Sequence, residues 1–308
     1  MTARGWILFA AMCVIWGVPY LLIKVAVEDV SPSMLVLART GIAALLLLPI
    51  AAVRDELRVL LPHWRPVLAF AAIEIALPWV LLGSAETRIS SSLTALLIAA
   101  VPLVGTGIAL VTVPRERLTL DRGLGLALGM VGVASIVGLG IEGASMVAIL
   151  QVLAVAVCYA VGPVILQRWL SHLPPLGVIA ASLGVSALVY VPITAIAGAG
   201  SAPSADALAS IVVLAVVCTA IAFLVFFALI AEVGPARATV ITYVNPAVAL
   251  TLGVVVLDES FTIATAVGFG LILLGSVLAT SRDRKVPAAR VAAADVACAD
   301  LGTPVGEP

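Results

Sequence analysis

The stretch Ala95 to Glu116, ALLIAAVPLVGTGIALVTVPRE, decides the fold because the chain says it again as Thr239 to Glu259, TVITYVNPAVALTLGVVVLDE. Each is an apolar, helix-length segment with one internal proline, Pro102 or Pro246, and a glutamate past its far end, Glu116 or Glu259. The prolines lie 144 positions apart and the glutamates 143. The 143-residue spacing also relates Pro32 to Pro175, Gly41 to Gly184, Pro49 to Pro192, Gly125 to Gly268 and Gly132 to Gly275, and 144 relates Pro19 to Pro163. Leu, Ala and Val coincide by chance in so apolar a chain. Gly and Pro are scarcer, and their agreement in register reads as one unit used twice.

The 308 residues are 63% hydrophobic and 11% charged, with a mean hydropathy of +1.26. Soluble domains carry about 25% charged residues, and a water-soluble fold cannot hide this much apolar side chain. The class is an all-α polytopic membrane protein whose first partner is the lipid bilayer. A net charge of −1 and the lack of a basic, aromatic-studded patch argue against nucleic acid. Cys13, Cys158, Cys218 and Cys298 are far apart, without metal or redox spacing, and read as packing residues. No cofactor and no metal is expected. The N-terminal run MTARGWILFAAMCVIWGVPYLLIKVA is too long for a signal-peptide core and reads as an uncleaved first span.

A bilayer core of about 30 Å takes roughly 20 apolar residues as a helix. Ten such segments can be drawn, at 6–24, 32–53, 66–84, 91–112, 122–140, 145–166, 175–197, 208–230, 237–257 and 262–280. With a cytoplasmic N-terminus, thirteen Lys and Arg fall on the inner side and two, Lys24 and Arg88, on the outer, so both termini are expected in the cytoplasm. Five helices per unit is odd, so the second unit would be inserted upside down, a plan that secondary transporters use around a midplane site. The domains are then 1–141, 142–281 and a cytoplasmic tail, 282–308, expected to be disordered.

Glu74 is the sharpest chemical signal, an ionisable group in the middle of AFAAIEIALPWVLLG. At that depth it must face a cavity, find a partner or stay protonated. Two readings stand side by side: proton coupling or recognition of a cationic group, and a buried pair with Arg39. Arg39 lies roughly 12 Å, and Glu74 roughly 15 Å, inside the same membrane face. Neither has a charged mate one repeat away, where Ser182 and Val217 stand.

Trp16, Gly17, Pro19 and Tyr20 form WGVPY, answered by Tyr159, Ala160, Gly162 and Pro163. A proline kink beside an aromatic and a glycine shapes a cavity wall, or is an ordinary kink with packed rings. Lys24 reads as a snorkelling lysine or as a gate or anion contact. Pro78 and Trp79 sit one turn beyond Glu74. Tyr243 and Asn245 precede Pro246, and Asn245 is either a cross-helix hydrogen bond or a substrate contact. Ser90 to Thr94 cap a helix start, and Gln151 reads as a helix–helix bond. Gly125, Gly129, Gly268 and Gly275 mark close-packing faces, inside the unit or at a homodimer contact. No enzyme constellation is present: His63 and His172 sit near loops, without a nucleophile or phosphate loop beside them.

WGVPYLLIKVA, the arginine of LARTGIAALLLLP, SSSLTALLIAAVPLVGTGIALVTVPRERLT and ITYVNPAVALTLGVVVLDESFT together resemble the EamA-like branch of the drug/metabolite transporter superfamily, over about residues 6–280. That family usually closes each block with Gly-Glu, where this chain has Arg115-Glu116 and Asp258-Glu259. The resemblance implies ten helices, cytoplasmic termini and alternating access around a cavity lined by the first four helices of each repeat. It also implies export of small metabolites, often amino acids or related compounds, with proton or counter-substrate exchange.

The expected function is therefore a secondary transporter in the cytoplasmic membrane, exporting a small-molecule substrate, with protons as a candidate coupling partner. The candidate substrate and coupling residues are Glu74, Arg39, Trp16, Tyr20, Lys24, Trp79, Tyr159, Tyr243 and Asn245, and the gating kinks are Pro19, Pro163, Pro102 and Pro246. The competing readings are a lipid or lipid-phosphate translocator, for which Lys24 and Arg39 suit an anionic headgroup, and a non-transporting sensor or assembly protein.

Overall fold

The computed structural model describes residues 1–112, 118–139, 145–260 and 262–280. Glu116, Cys298 and the tail 282–308, each singled out from the sequence, lie outside these residues. Among the described residues every regular element is a helix. Eight are long and apolar enough to cross a bilayer: α1 Ala3–Ala26, α2 Pro32–Val53, α3 Arg58–Glu86, α4 Ser91–Thr112, α6 Met146–Leu170, α7 Pro175–Ala197, α8 Ala205–Val233 and α10 Ile263–Thr280. Between them run α5, Leu120–Leu139, and the shorter apolar α9, Ile241–Val256. The expected segment 237–257 divides, because a separate short turn, Pro235–Ala238, precedes α9.

The bundle wears its apolar side chains outward. Val53, Val111, Ile196 and Ile263 are all more than four-fifths exposed, a surface that only a hydrocarbon solvent accommodates in such number. The interior is held by apolar clusters that join the two halves of the chain. One runs along α2 from Val36 to Ala51 and along α7 from Leu176 to Tyr190. A second joins α3, α4 and α6 to α9 and α10. α2 packs on α7, and α5 on α10, more extensively than any other helices pair, and each pair is related by the 143-residue spacing.

Prolines break the helices where the sequence places them. α1 stops at Ile15 and restarts at Pro19, whose missing N–H costs nothing at a first helical position. α4 pauses at Ala99 and Ala100 before Pro102, and the Ser276 hydroxyl of α10 donates to the Ala99 carbonyl at 3.2 Å. Pro163 and Pro246 lie inside α6 and α9. α3 and α8 each carry a wide π-helical turn, Ala71–Ala76 and Val216–Ile221. Glu74 stands in the first and Thr219 in the second. The backbone feature is thus shared by corresponding helices although the charge is not. Such turns reposition the side chains of a helix face and recur at functional sites.

The glycines of α5 and α10 meet each other. A Cβ on Gly132 would lie 2.8 Å from the Gly268 carbonyl oxygen, and one on Gly275 2.6 Å from that of Gly125. This face is therefore covered within the chain.

One face of the bundle carries the connections 27–31, 87–90, 198–204 and 257–260. There Val30 bridges Gly200, Ser31 N–H donates to Ala199 O at 2.9 Å, and Ser204 N–H donates to Asp29 Oδ2 at 2.8 Å. Hydrogen bonding from Ser204, through its side chain first and then its backbone, holds the Asp29 carboxyl below the usual carboxylate range. A depressed carboxyl stabilises the fold fully above the unfolded value of about 4 and loses that contribution as pH falls through the folded value. Asp29→Asn is expected to melt slightly below wild type at pH 7, and the difference should shrink at an acidic pH below the folded value. Melting curves of the purified protein at both pH values check this.

Candidate functional site

Arg39 is the centre of the site. It projects from the middle of α2, only 7% exposed, into the seam between the two halves. Its Nε donates to Thr219 Oγ1 of α8 at 2.9 Å, and Thr219 in turn donates to Leu214 O at 2.7 Å. The guanidinium lies 3.7 Å from the ring centroid of Trp79 on α3. Stacking of this kind is worth about 2 kcal/mol when desolvated. Tyr159 of α6 lies beside Trp79. Tyr20 of α1 and Glu86 of α3 complete the electrostatic surroundings of Arg39.

The Arg39–Glu74 pair allowed by their depths is not formed. Among the described residues the ion pair is Arg58 with Asp55, exposed at 3.9 Å. Arg39 is held instead by the Thr219 hydroxyl and the Trp79 ring, both able to approach a planar cation edge-on and face-on. Glu74 points from its π-helical turn toward α6, where Gly162 makes room: a Cβ there would overlap the carboxylate. Glu74 Oε2 is enclosed with no hydrogen-bond partner, and Tyr159 and Cys158 share its electrostatic field.

Glu86 was missed by sequence reasoning, which left it between the segments 66–84 and 91–112. It is fully buried, and neither carboxylate oxygen has a hydrogen-bond partner among the described residues. Its charged surroundings are Lys24, Glu259 and Arg39. The available signal was its spacing: Glu86 follows Trp79 by seven residues, two helical turns, which puts both on one face of α3. Thr219 was also missed, because a threonine does not stand out in an apolar chain.

Lys24 is half-buried near the end of α1. Its Nζ donates to the carbonyls of Glu86 at 2.6 Å and Ile89 at 3.0 Å, so a cation caps the carboxyl end of α3. Trp16 packs in an aromatic group with Phe226 at 4.7 Å and Phe223 at 6.0 Å, against α8. Asn245 forms the cross-helix bond: with its amide oriented by its neighbours, the nitrogen donates to Cys13 O of α1 at 3.2 Å and to Ile241 O at 3.0 Å. Tyr243 meets the Thr280 hydroxyl of α10 at 2.8 Å, so these two α9 residues are not gathered around Arg39. Gln151 donates to Ser84 at 3.0 Å, a helix–helix bond, and Ser90 caps α4 through Leu93 N–H.

Of the four kink prolines, Pro19 and Pro246 are buried, Pro163 is exposed, and Pro102 lines a cleft. The cleft measures about 370 Å³ and lies between α4, α5, α6 and α10, with Gly105, Thr106, Arg122, Ala160 and Thr280 among its walls. The cleft lies toward the end of the bundle opposite the 27–31 connection, and its walls include none of Arg39, Trp79 and Tyr159.

Comparisons with known proteins agree with this architecture. The model of the EamA-like transporter family matches residues 3–138 and again 146–281. A protein of Escherichia coli K12 named uncharacterized inner membrane transporter YedA is 30% identical over 293 residues, covering 92% of each chain. The Bacillus subtilis protein named uncharacterized transporter YvbV is 25% identical over 291 residues, 94% of this chain and 95% of its own. An Archaeoglobus fulgidus protein named uncharacterized transporter is 24% identical over 275 residues, 88% of this chain and 97% of its own. A solved crystal structure superposes with a TM-score of 0.65 at 20% identity, over 91% of this chain and 97% of that one, which shows a common fold. Apolar spanning helices, a family match over nearly the whole described chain and relatives named as membrane transporters lead to one conclusion: this chain is a multi-pass membrane transporter and belongs to the EamA-like transporter family.

Proposed function

We propose that the protein is a secondary active transporter of the cytoplasmic membrane that exports a small polar or amphipathic metabolite, such as an amino acid or related compound, by alternating access. The observation that carries this reading is the group of buried charges at the seam between the halves. Arg39 and Glu86, buried, and Glu74, half-buried, lie among Tyr20, Trp79 and Tyr159, and among the described residues none of the three forms an ion pair. Buried charge left in this condition is costly as mere scaffold and is the expected state of a site that awaits a charged ligand. Arg39 on the Trp79 face suits a carboxylate, and the open side of Glu74 suits an ammonium group or a coupling proton.

In this reading the chain has ten spans as two inverted five-helix repeats, with both termini cytoplasmic. The in-register Gly and Pro positions, the packing of α2 on α7 and α5 on α10, and the excess of Lys and Arg on the terminal side support it. The connections 27–31, 87–90, 198–204 and 257–260 are then extracellular, and the cleft opens toward the cytoplasm. Residues Pro19, Pro163, Pro102 and Pro246 place the bends at which the halves rock.

The test is the extracellular metabolite profile of cells carrying wild type, Glu74→Gln or empty vector at matched membrane abundance. One or more compounds should accumulate outside for wild type, with at least about a tenfold lower rate for Glu74→Gln if the carboxylate acts at the rate-limiting step, equivalent to about 1.4 kcal/mol. Equal export by both would remove Glu74 from the mechanism. Profiles equal to the empty vector would remove export.

A further inference from the structure

Among the described residues, two that are not glycine have a positive φ: Asp55 at +55° and Asp258 at +51°. Each ends a helix, α2 or α9, and each is followed by a glutamate. The turn sends that glutamate's N–H back onto its own helix, Glu56 to Ala51 O at 2.9 Å and Glu259 to Gly253 O at 3.1 Å. The left-handed conformation is costly for a residue with a Cβ, and the strain is kept where the surrounding structure demands it.

Both glutamates reach across the seam to the first turn of a helix in the other half of the chain. Glu56 Oε2 accepts from Gly177 N–H of α7 at 2.8 Å. Glu259 Oε1 accepts from Ser91 N–H of α4 at 2.7 Å and from the Ser91 hydroxyl at 3.0 Å, and its Oε2 accepts from Ser92 N–H at 2.9 Å. First-turn N–H groups have no partner in their own helix, and a carboxylate there is doubly favoured by hydrogen bonding and by the helix dipole. The same device thus stands once at each face of the bundle.

The two clamps secure different things. α2 and α7 share an apolar core along their length, so Glu56 reinforces a contact that side chains already make. α4 and α9 also share an apolar cluster, but over a shorter length. The first half of α4, Ser91–Ile98, packs on α9, while its second half, Val101–Thr112, packs on α6, α10 and α5. That second half borders the cleft. Gly253 permits the close approach at the clamped end, since a Cβ there would collide with Ser92 and with the Glu259 carboxylate. The α4–α9 contact is therefore concentrated at the end that Glu259 ties, and a helix break at Ala99 and Ala100 separates it from the cleft.

We propose that Glu259 is the positioning residue of a gate: its three bonds to the first turn of α4 hold this face closed, and their release lets α4 leave α9 and open it. The proposal rests on the alternating-access reading and adds the element that switches. Glu259 is half-buried and keeps some access to water, so water can replace the carboxylate at Ser91 and Ser92 during opening. Glu56, tied to an extensive apolar seam, stays bound throughout.

The experiment is a distance measurement between spin labels at Arg88→Cys and Ser260→Cys, on the purified full chain with its four native cysteines replaced by alanine. The parent should give a single short-distance population. Glu259→Ala should add a population longer by about 5 Å or more, the rise of one helical turn. Ser91→Ala, which keeps both backbone bonds, should add a smaller one, and it serves if Glu259→Ala does not fold. Glu56→Gln should leave the distribution unchanged. Superimposable distributions for the parent and both Glu259→Ala and Ser91→Ala would overturn the gate. So would an equal opening by Glu56→Gln, which would make the clamps general staples. Because no substrate enters the measurement, a failed export profile and a failed gate are separate outcomes.

Discussion

Gly125→Val is expected to cost the protein most of its folded population. A Cβ at Gly125 would lie 2.4 Å from the Ala279 backbone nitrogen and 2.7 Å from the Gly275 carbonyl oxygen of α10. Neither atom belongs to a side chain that can turn aside, so α5 and α10 must separate. Overpacking typically costs about 1–3 kcal/mol where side chains absorb it, and a backbone collision belongs at or above the upper end. The loss propagates because the α5–α10 pair is the most extensive in the bundle and Ser276 of α10 also serves the open turn of α4. The measurement is recovery of monodisperse protein in mild detergent together with its melting temperature. Gly107→Ala, at a position with open space around it, is the matched control and should behave as wild type. Equal recovery of the two variants would refute the packing argument.

Arg39→Lys is expected to lower export by about ten- to a hundredfold at matched membrane abundance, and to lower the melting temperature as well. Lysine keeps the positive charge but loses the planar group that stacks on Trp79 and the Nε that donates to Thr219. Each such interaction is worth about 1–2 kcal/mol in a desolvated setting, and every 1.4 kcal/mol of transition-state stabilisation is about tenfold in rate. Arginine and lysine are not interchangeable where a flat, forked donor is used. Export of the metabolite found for wild type, measured with Arg39→Lys and with Trp79→Phe, checks this. The Phe variant keeps the ring face but not the indole N–H, and should fall between the two. Wild-type rates for Arg39→Lys would reduce Arg39 to a charge and remove the stacking from the mechanism.

Much of the architecture was legible because it is written in the properties a bilayer selects. Apolar length finds the helices and proline finds their breaks, and a glycine spacing kept in register finds the α5–α10 face. The site was only partly legible. Glu74 and Arg39 stand out because charge is rare in these segments. Their pairing does not follow from depth, since depth leaves the azimuth of a side chain free. Thr219, Gly162 and the π-helical turns decide that azimuth, turning Arg39 to α8 and Trp79 and giving Glu74 its room against α6. Glu86 was hidden by its place in the chain. A charged residue at a segment end reads as a loop, yet α3 extends far enough, with Lys24 closing its carboxyl end, to bury that carboxylate completely.

The sequence by itself determined the membrane class, the helices, their kinks and the repeat, because hydropathy and backbone chemistry act locally and need no partner to be read. The tertiary structure decided which buried charges face each other, that the glycines of α5 and α10 close on themselves, and that two Asp-Glu turns clamp helices from opposite halves of the chain. Those features depend on the direction of individual side chains across a seam between segments more than a hundred residues apart, and direction is set by packing and hydrogen bonding, which arise only when the segments meet.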